Sequence, residues 1–423
     1  MIVSDIHQLI GNTPLLLLDQ EKTWLKKFNI YAKLEYMNPF GSVKDRLAMW
    51  LLYPHIETIK TNNMTVLESS SGNTAKAIGA LCSMHDIPFQ TITNRLHGIE
   101  TKKLLQILWI DVTEVSWYWE CPDITDPDSP PAQVQKLWQD HPDKYFLTGQ
   151  YTSKNNPWYH YKTTWQEIHH DLWSVEYFFA FLWTCWSSFW AWSYLKEHAG
   201  TKTIGIVSYE WQIIPWWRTE IETWETSIFQ FDFYDDIAKV SIDQAVQWSI
   251  DLIRKYGVLA WPTSWWNYAA TIDYCRKLEE AWHPWWNVVF IACDRFERYV
   301  SYYEKYAPWI FSDDASNQEN NWEYQTITPA YITKQQLETI KEPTLLIDTR
   351  ATFAYQRKHI PGSINIPLET LDDLIGQWAF LPSDKKIVLC CRWWYSSTKQ
   401  CKQLIYSWYD TYILRWWLKE RFA

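Results

Sequence analysis

Short runs of consecutive apolar residues alternate along this chain with longer stretches in which apolar positions recur every three or four residues. Ile30–Glu35, Met64–Leu67, Phe89–Ile92 and Val112–Val115 read as strands, and Arg46–Leu52, Thr74–Met84 and Ile99–Leu108 as amphipathic helices between them. A Pro- and Asp-rich loop over 120–131 precedes a helix over 132–140. A second run of the same kind then follows, with helices over 156–172, 187–198, 242–256 and 267–281 and strands over 177–182, 203–207 and 288–292. Strands separated by helices call for a parallel sheet with crossover helices, so the fold class expected is α/β. The stretch Ser312-Asp313-Asp314-Ala315-Ser316-Asn317-Gln318-Glu319-Asn320-Asn321 is polar without period and marks a linker over 310–323, dividing a module at 1–309 from a smaller one at 324–423. No internal repeat is visible.

Length agrees with this division, since 423 residues exceed one ordinary domain. A net charge of −10 argues against nucleic acid or an anionic membrane as the main partner. Neither a basic, apolar leader at Met1-Ile2-Val3-Ser4-Asp5 nor an apolar run of membrane-spanning length is seen, so a cytoplasmic protein is expected. The 8 cysteines follow no metal or disulfide spacing and default to reduced thiols.

Candidate chemistry centres on Asn38-Pro39-Phe40-Gly41-Ser42-Val43-Lys44-Asp45-Arg46. Here a strand is followed by a turn punctuated by Asn-Pro and Gly, and the turn delivers Lys44 to the start of an apolar helix. A helix N-terminus and partial burial both disfavour the ammonium form, leaving a neutral amine able to attack an aldehyde. A surface lysine capping a turn is the bland alternative.

Four further stretches shift that balance: Gly11-Asn12-Thr13-Pro14-Leu15, Glu68-Ser69-Ser70-Ser71-Gly72-Asn73-Thr74-Ala75, Gln150-Tyr151-Thr152-Ser153-Lys154-Asn155-Asn156-Pro157, and His160-Tyr161-Lys162-Thr163-Thr164 with Glu167-Ile168. With the Lys44 turn, in this order, they resemble the cysteine synthase (O-acetylserine sulfhydrylase) family of fold-type II pyridoxal-phosphate enzymes, from about residue 5 to about residue 305. The resemblance implies two parallel-sheet α/β subdomains and a homodimer. It makes Lys44 the covalent anchor of pyridoxal 5'-phosphate and sets Asn73 against the cofactor's phenolate oxygen. Ser70, Ser71, Gly72 and Thr74 then form the loop for the substrate carboxylate, an arrangement consistent with an anion nest opening a helix. Gln150 becomes a second substrate contact, and Thr263 the neutral hydroxyl facing the pyridine nitrogen. Trp183-Thr184-Cys185-Trp186-Ser187 stands where the family has its glycine-rich phosphate cup.

Towards the C-terminus, Thr344–Arg350, His359–Pro367 and Ile387–Ser397 resemble the rhodanese family. Cys391 aligns with the sulfur-carrying nucleophile, where a buried strand runs into a loop that opens a helix and whose amides converge on the sulfur. The match departs at Trp394, where the loop glycine is expected, and at Ser396, where many rhodaneses carry arginine.

The resemblance therefore implies β-replacement on an activated serine such as O-acetylserine, with sulfide or persulfide sulfur yielding cysteine and Cys391 as a sulfur carrier. Cystathionine β-synthase-like replacement is the alternative within the class, and an inactive scaffold the alternative outside it. The second alternative arises from composition: 32 Trp stand against 11 Gly, where average usage of about 7% glycine gives roughly 30. Trp109, Trp165, Trp183, Trp186, Trp190, Trp192, Trp211, Trp216, Trp217, Trp265, Trp266, Trp394, Trp416 and Trp417 occupy positions where the resemblance calls for glycine, and Trp is a poor substitute wherever φ is positive. UGA codons that encode glycine but are translated as tryptophan account for both the surplus and the deficit. Trp24, Trp50 and Trp138, in helix-like segments, are expected to be genuine.

Overall fold

The computed structural model describes residues 2–93, 99–115, 126–150, 162–182, 194–208, 233–240, 242–260, 262–279, 285–306, 311, 329–376, 381–382, 385–391, 397–406 and 409–415. They divide into two compact units, one within residues 1–307 and one from residue 308 onward.

The first unit holds two sheets. One is built from β1 (Leu15–Leu17), β2 (Phe28–Leu34), β7 (Tyr177–Phe181), β8 (Lys202–Ser208), β9 (Asp236–Val240) and β10 (Trp286–Ala292), in the order β1-β2-β10-β7-β8-β9. All its pairings are parallel except β1 with β2. The other, β5-β4-β3-β6, is wholly parallel and comprises β3 (Thr65–Glu68), β4 (Phe89–Thr93), β5 (Asp111–Glu114) and β6 (Tyr145–Leu147). Strands covered by helices on both faces read as apolar runs, and the unbroken burial of Tyr177–Phe181 is such a case.

Helices Lys44–Leu52 and Asn73–Met84 pack on the second sheet through Ala48, Leu52, Ile78, Leu81 and Phe89. Helix Thr164–Leu172 closes on the first sheet through Trp165, Ile168, Phe178, Val289 and Ile291. The second unit is a parallel sheet ordered β11-β15-β14-β12-β13, from Ala330–Thr333, Thr344–Asp348, Ile364–Asn365, Lys386–Cys390 and Thr411–Arg415 in chain order, with Ile347, Leu389, Leu404 and Ile413 in its core.

The expected strands and helices are present where they fall on described residues, with three differences. Strands β6 and β9 escape the hydrophobic pattern because they lie at sheet edges with few buried residues, and β9 in particular has none before Val240; the interior strand β15 was not anticipated either. The last long helix of the first unit starts at Pro262, five residues before its expected start, so Trp265 and Trp266 are buried helical residues and no turn. Trp24, expected inside a helix, instead terminates one with φ 62°.

Candidate functional site

Lys44 reaches its position through a turn held by its own residues. Gly41 takes φ +86°, which a side chain would resist, and its N–H donates to Asn38 O at 2.8 Å. The Asp45 carboxylate accepts from Phe40 N at 2.6 Å and Ser42 Oγ at 3.0 Å, closing the loop from below. Lys44 is then the first residue of its helix. Burial pushes its amine below the usual lysine range, opposed by the nearby Cys293 and Asp294.

Cys293 and Asp294, directly after β10, form the hub of the site. The carbonyl of Cys293 accepts from Val43 N at 2.8 Å, and Asp294 pairs across an antiparallel bridge with Ser42. Asp294 Oδ2 accepts from Asn73 Nδ2 at 2.6 Å and from Tyr299 Oη at 2.8 Å. On the other side, Cys293 N donates to Ser264 Oγ at 2.8 Å, and the Thr263 side chain lies beside the Cys293 sulfur. One dipeptide at the carboxyl end of a central strand thus joins Lys44, Asn73 and Thr263, where ligands of parallel sheets commonly bind. The sequence reading missed it, because Cys293-Asp294 follows an ordinary apolar strand with no turn signal of its own.

The segment Ser69–Thr74 opens helix Asn73–Met84 and rests on a buried carboxylate. Glu68 accepts from Ser69 N at 2.8 Å, Thr148 Oγ1 at 2.6 Å and Gln150 N at 3.0 Å. Burial raises its pKa to about 6 despite those bonds. Gln150 is buried here, accepting from Thr74 Oγ1 at 2.8 Å and donating to Ser69 O at 2.8 Å. Ser70 Oγ accepts from Gly72 N and Ala75 N, both at 3.3 Å, and Ser71 and Gly72 are half-buried, with open space where a Gly72 Cβ would stand. Gln150 and Thr74 therefore brace the loop from within.

A second feature, whose residues the motifs carry without showing that they meet, is the ion cluster around Arg46. Arg46, fully buried, donates from Nε to Glu35 Oε2 at 2.8 Å and from Nη1 to Glu167 Oε1 at 2.6 Å. Lys33 Nζ reaches Glu167 Oε2 at 2.8 Å, and Glu167 also accepts from Asn12 N at 3.0 Å. Two cations meet two carboxylates, so the buried charge balances. Burial works against the Glu167 charge, but Arg46 and Lys33 outweigh it and hold the carboxyl at about 2. The cluster also explains why Gly11-Asn12-Thr13 and Glu167 accompany the Lys44 motif in sequence.

Trp183, Thr184, Cys185, Trp186 and Ser187 lie outside the described residues. In the second unit Cys391 directly follows β14, is half-buried, and precedes helix Thr398–Tyr406, while residues 392–396 are again outside the described set. Arg350, clamped on Asp348 by bonds of 2.9 and 2.6 Å, lies close enough to Cys391 for their charges to interact.

The described donor set fits pyridoxal phosphate: a buried amine of lowered pKa, an Asn amide oriented by a carboxylate, and a hydroxyl beside them. Comparison with known proteins agrees. The profile of the family described as pyridoxal-phosphate dependent enzyme matches residues 6–294, and that of the rhodanese-like domain matches residues 332–415. A cystathionine beta-synthase of Apis mellifera is 32% identical over 177 residues, 40% of this chain and 33% of that protein. A cysteine synthase of Helicobacter pylori is 29% identical over 174 residues, 41% of this chain and 55% of that protein. The chain thus spans between a third and about half the length of these relatives. The crystal structure of an O-acetylserine dependent cystathionine beta-synthase from Helicobacter pylori superposes with a TM-score of 0.60 at 23% identity, over 71% of this chain and 98% of that one, which speaks for the fold. With a family profile running from the first 3-10 turn to the Cys293-Asp294 hub, the chain belongs to the pyridoxal-phosphate dependent enzymes of fold type II, joined to a rhodanese-like domain.

Proposed function

We propose that the first module, residues 1–309, catalyses β-replacement on an activated serine such as O-acetylserine, with Lys44 as anchor of the cofactor and as the base that moves the α-proton. Pyridoxal phosphate, when bound, draws electrons from the substrate's Cα and so labilises both the α-proton and the β-leaving group. The observation that carries the reading is the joining of Lys44, Asn73 and Thr263 through Cys293 and Asp294. Burial disfavours the charged form of the Lys44 amine, which suits Nζ to the role of proton acceptor. Asn73, its amide turned by Asp294, meets the phenolate oxygen. Thr263 offers a neutral hydroxyl to the pyridine nitrogen, which restrains electron withdrawal and suits elimination over transamination. Ser70, Ser71, Gly72 and Thr74 hold the substrate carboxylate with Gln150 behind them, and residues 183–187 take the phosphate. The substrates are small amino acids and a sulfur donor, and the protein acts as a cytoplasmic homodimer; among the described residues no helix is long and apolar enough to cross a membrane.

After a linker at 310–323, the module at 324–423 carries sulfur on Cys391. The thiolate takes the outer sulfur of a donor such as thiosulfate, releasing sulfite; two equivalents of a thiol reductant then reduce the persulfide, freeing sulfide for β-replacement, restoring the Cys391 thiolate and leaving the reductant as a disulfide. The placement of Cys391 directly after β14 and before the helix Thr398–Tyr406 supports this.

Borohydride reduction of the cofactor-loaded protein tests the first assignment: the cofactor should be trapped on the Lys44 peptide, and Lys44→Ala should yield no adduct and no β-replacement. An adduct on any other lysine would refute it. Supplying O-acetylserine with sulfide or with homocysteine separates cysteine synthesis from the cystathionine reaction, in which the relatives are divided. For the second module, mass analysis after thiosulfate treatment should find one added sulfur, lost in Cys391→Ser.

A further inference from the structure

Among the described residues, six that are not glycine have positive φ: Asn12, Asn63 and Asp86, and then Trp24, Trp109 and Trp173 at 62°, 56° and 59°. Asn and Asp are the side chains that tolerate this region, through local hydrogen bonds, whereas a bulky residue is an outlier there. Every bulky residue in this set is tryptophan.

The three share one structural role. Trp24 N donates to Gln20 O at 2.9 Å and Trp173 N to His169 O at 2.8 Å, each closing the last turn of a helix from a residue of positive φ. Trp109 N donates to Gln106 O at 3.0 Å while Ile110 N reaches back to Leu105 O at 3.2 Å, the paired closure that favours glycine at its left-handed position. Elsewhere the chain fills that same role conventionally. Gly257, with φ +69°, sits between Ile253 O and a Val258 N to Leu252 O bond of 3.3 Å, and Gly200, Asn63 and Asp86 end helices in the same way. Nor does packing explain the indoles, because Trp24, Trp109 and Trp173 are 79%, 92% and 80% exposed. A backbone that wants glycine, a side chain that touches little, and a deficit of glycine matched by a surplus of tryptophan have one common account.

We propose that the protein, as its own organism makes it, carries glycine at positions 24, 109 and 173, their codons being UGA read as glycine. The proposal is limited to these three by the geometry. Trp165, Trp265 and Trp266 are buried helical residues without positive φ, and they carry none of the argument. The same codon at 183 and 186 turns Trp183-Thr184-Cys185-Trp186-Ser187 into Gly-Thr-Cys-Gly-Ser, a loop of the kind that cradles phosphate. That consequence rests on the function proposed above, whereas the three helix ends do not.

The test is therefore independent of activity. The gene should show UGA at codons 24, 109 and 173, and peptides of the protein isolated from the organism carrying that gene should have the mass of glycine at each position. UGG at these codons, or peptides with the mass of tryptophan, overturns the proposal. In recombinant protein, Trp24→Gly, Trp109→Gly and Trp173→Gly should each raise the thermal midpoint by about 2–4 °C, since each relieves a side chain at positive φ. An unchanged or lower midpoint contradicts the claim that these helix ends require glycine.

Discussion

Asp294 accepts hydrogen bonds from both Asn73 and Tyr299 and lies near Lys44. Asp294→Asn keeps the shape but removes the charge that strengthens both bonds. Stability should fall by about 1.5–3 kcal/mol in urea unfolding, and the Lys44 amine should titrate lower still, because the carboxylate opposes the downward push of burial on its pKa. Amine labelling of Lys44 as a function of pH reads that second effect; an unchanged labelling profile would show that Asp294 does not act on Lys44. Among the thiols, burial pushes Cys82, Cys275, Cys293 and Cys390 upward and Cys401 to about 12. None of these five offers a thiolate near neutrality, so native-state alkylation should reach Cys391 before any of them, with peptide mapping as the readout. Lys44 and Cys391 were legible as candidates because each sits at a strand-turn-helix junction that leaves a local mark. Asp294 was not, since its importance lies in Ser42, Lys44 and Asn73, all remote in the chain.

Helix Lys44–Leu52 is tied to helix Thr164–Leu172 and to the turn after β2 by Arg46, which spans Glu35 and Glu167. Arg46→Ala leaves two buried or half-buried carboxylates facing each other and should cost about 3–5 kcal/mol, measured by urea denaturation at neutral pH. The pH dependence follows from the sign of the Glu167 shift. Its folded pKa of about 2 lies below the ordinary 4.5, so its contribution is complete above 4.5 and disappears as pH falls towards 2. Glu167→Gln should flatten the acid loss of stability over that interval; an unchanged acid slope would place the loss at other groups. Glu68 has the opposite sign, with a folded pKa of about 6 against 4.5, so it favours the folded state more as pH falls through that window. At the scale of elements, hydrophobic period located most helices and buried strands. It did not locate β6 or β9, whose few partly exposed residues carry too little apolar signal, nor the left-handed residue that ends a helix at Trp24.

For the whole molecule, the alternation of strands and helices was enough to indicate an α/β chain. Local sequence can do this because burial on both faces of a parallel sheet demands apolar strands. The order of motifs around Lys44 and Cys391 added the family, since turns, caps and anion nests are made by neighbouring residues. Strand order lay beyond that reach: β2 pairs with β10, with Phe28 opposite Trp286, and nothing within either strand specifies a partner so distant in sequence. The same holds for the neutral cluster of Lys33, Glu35, Arg46 and Glu167 and for the hub at Cys293 and Asp294. Each charged residue alone reads as a solvated surface group, and only folding brings opposite charges close enough, away from water, for their attraction to offset the cost of burying them.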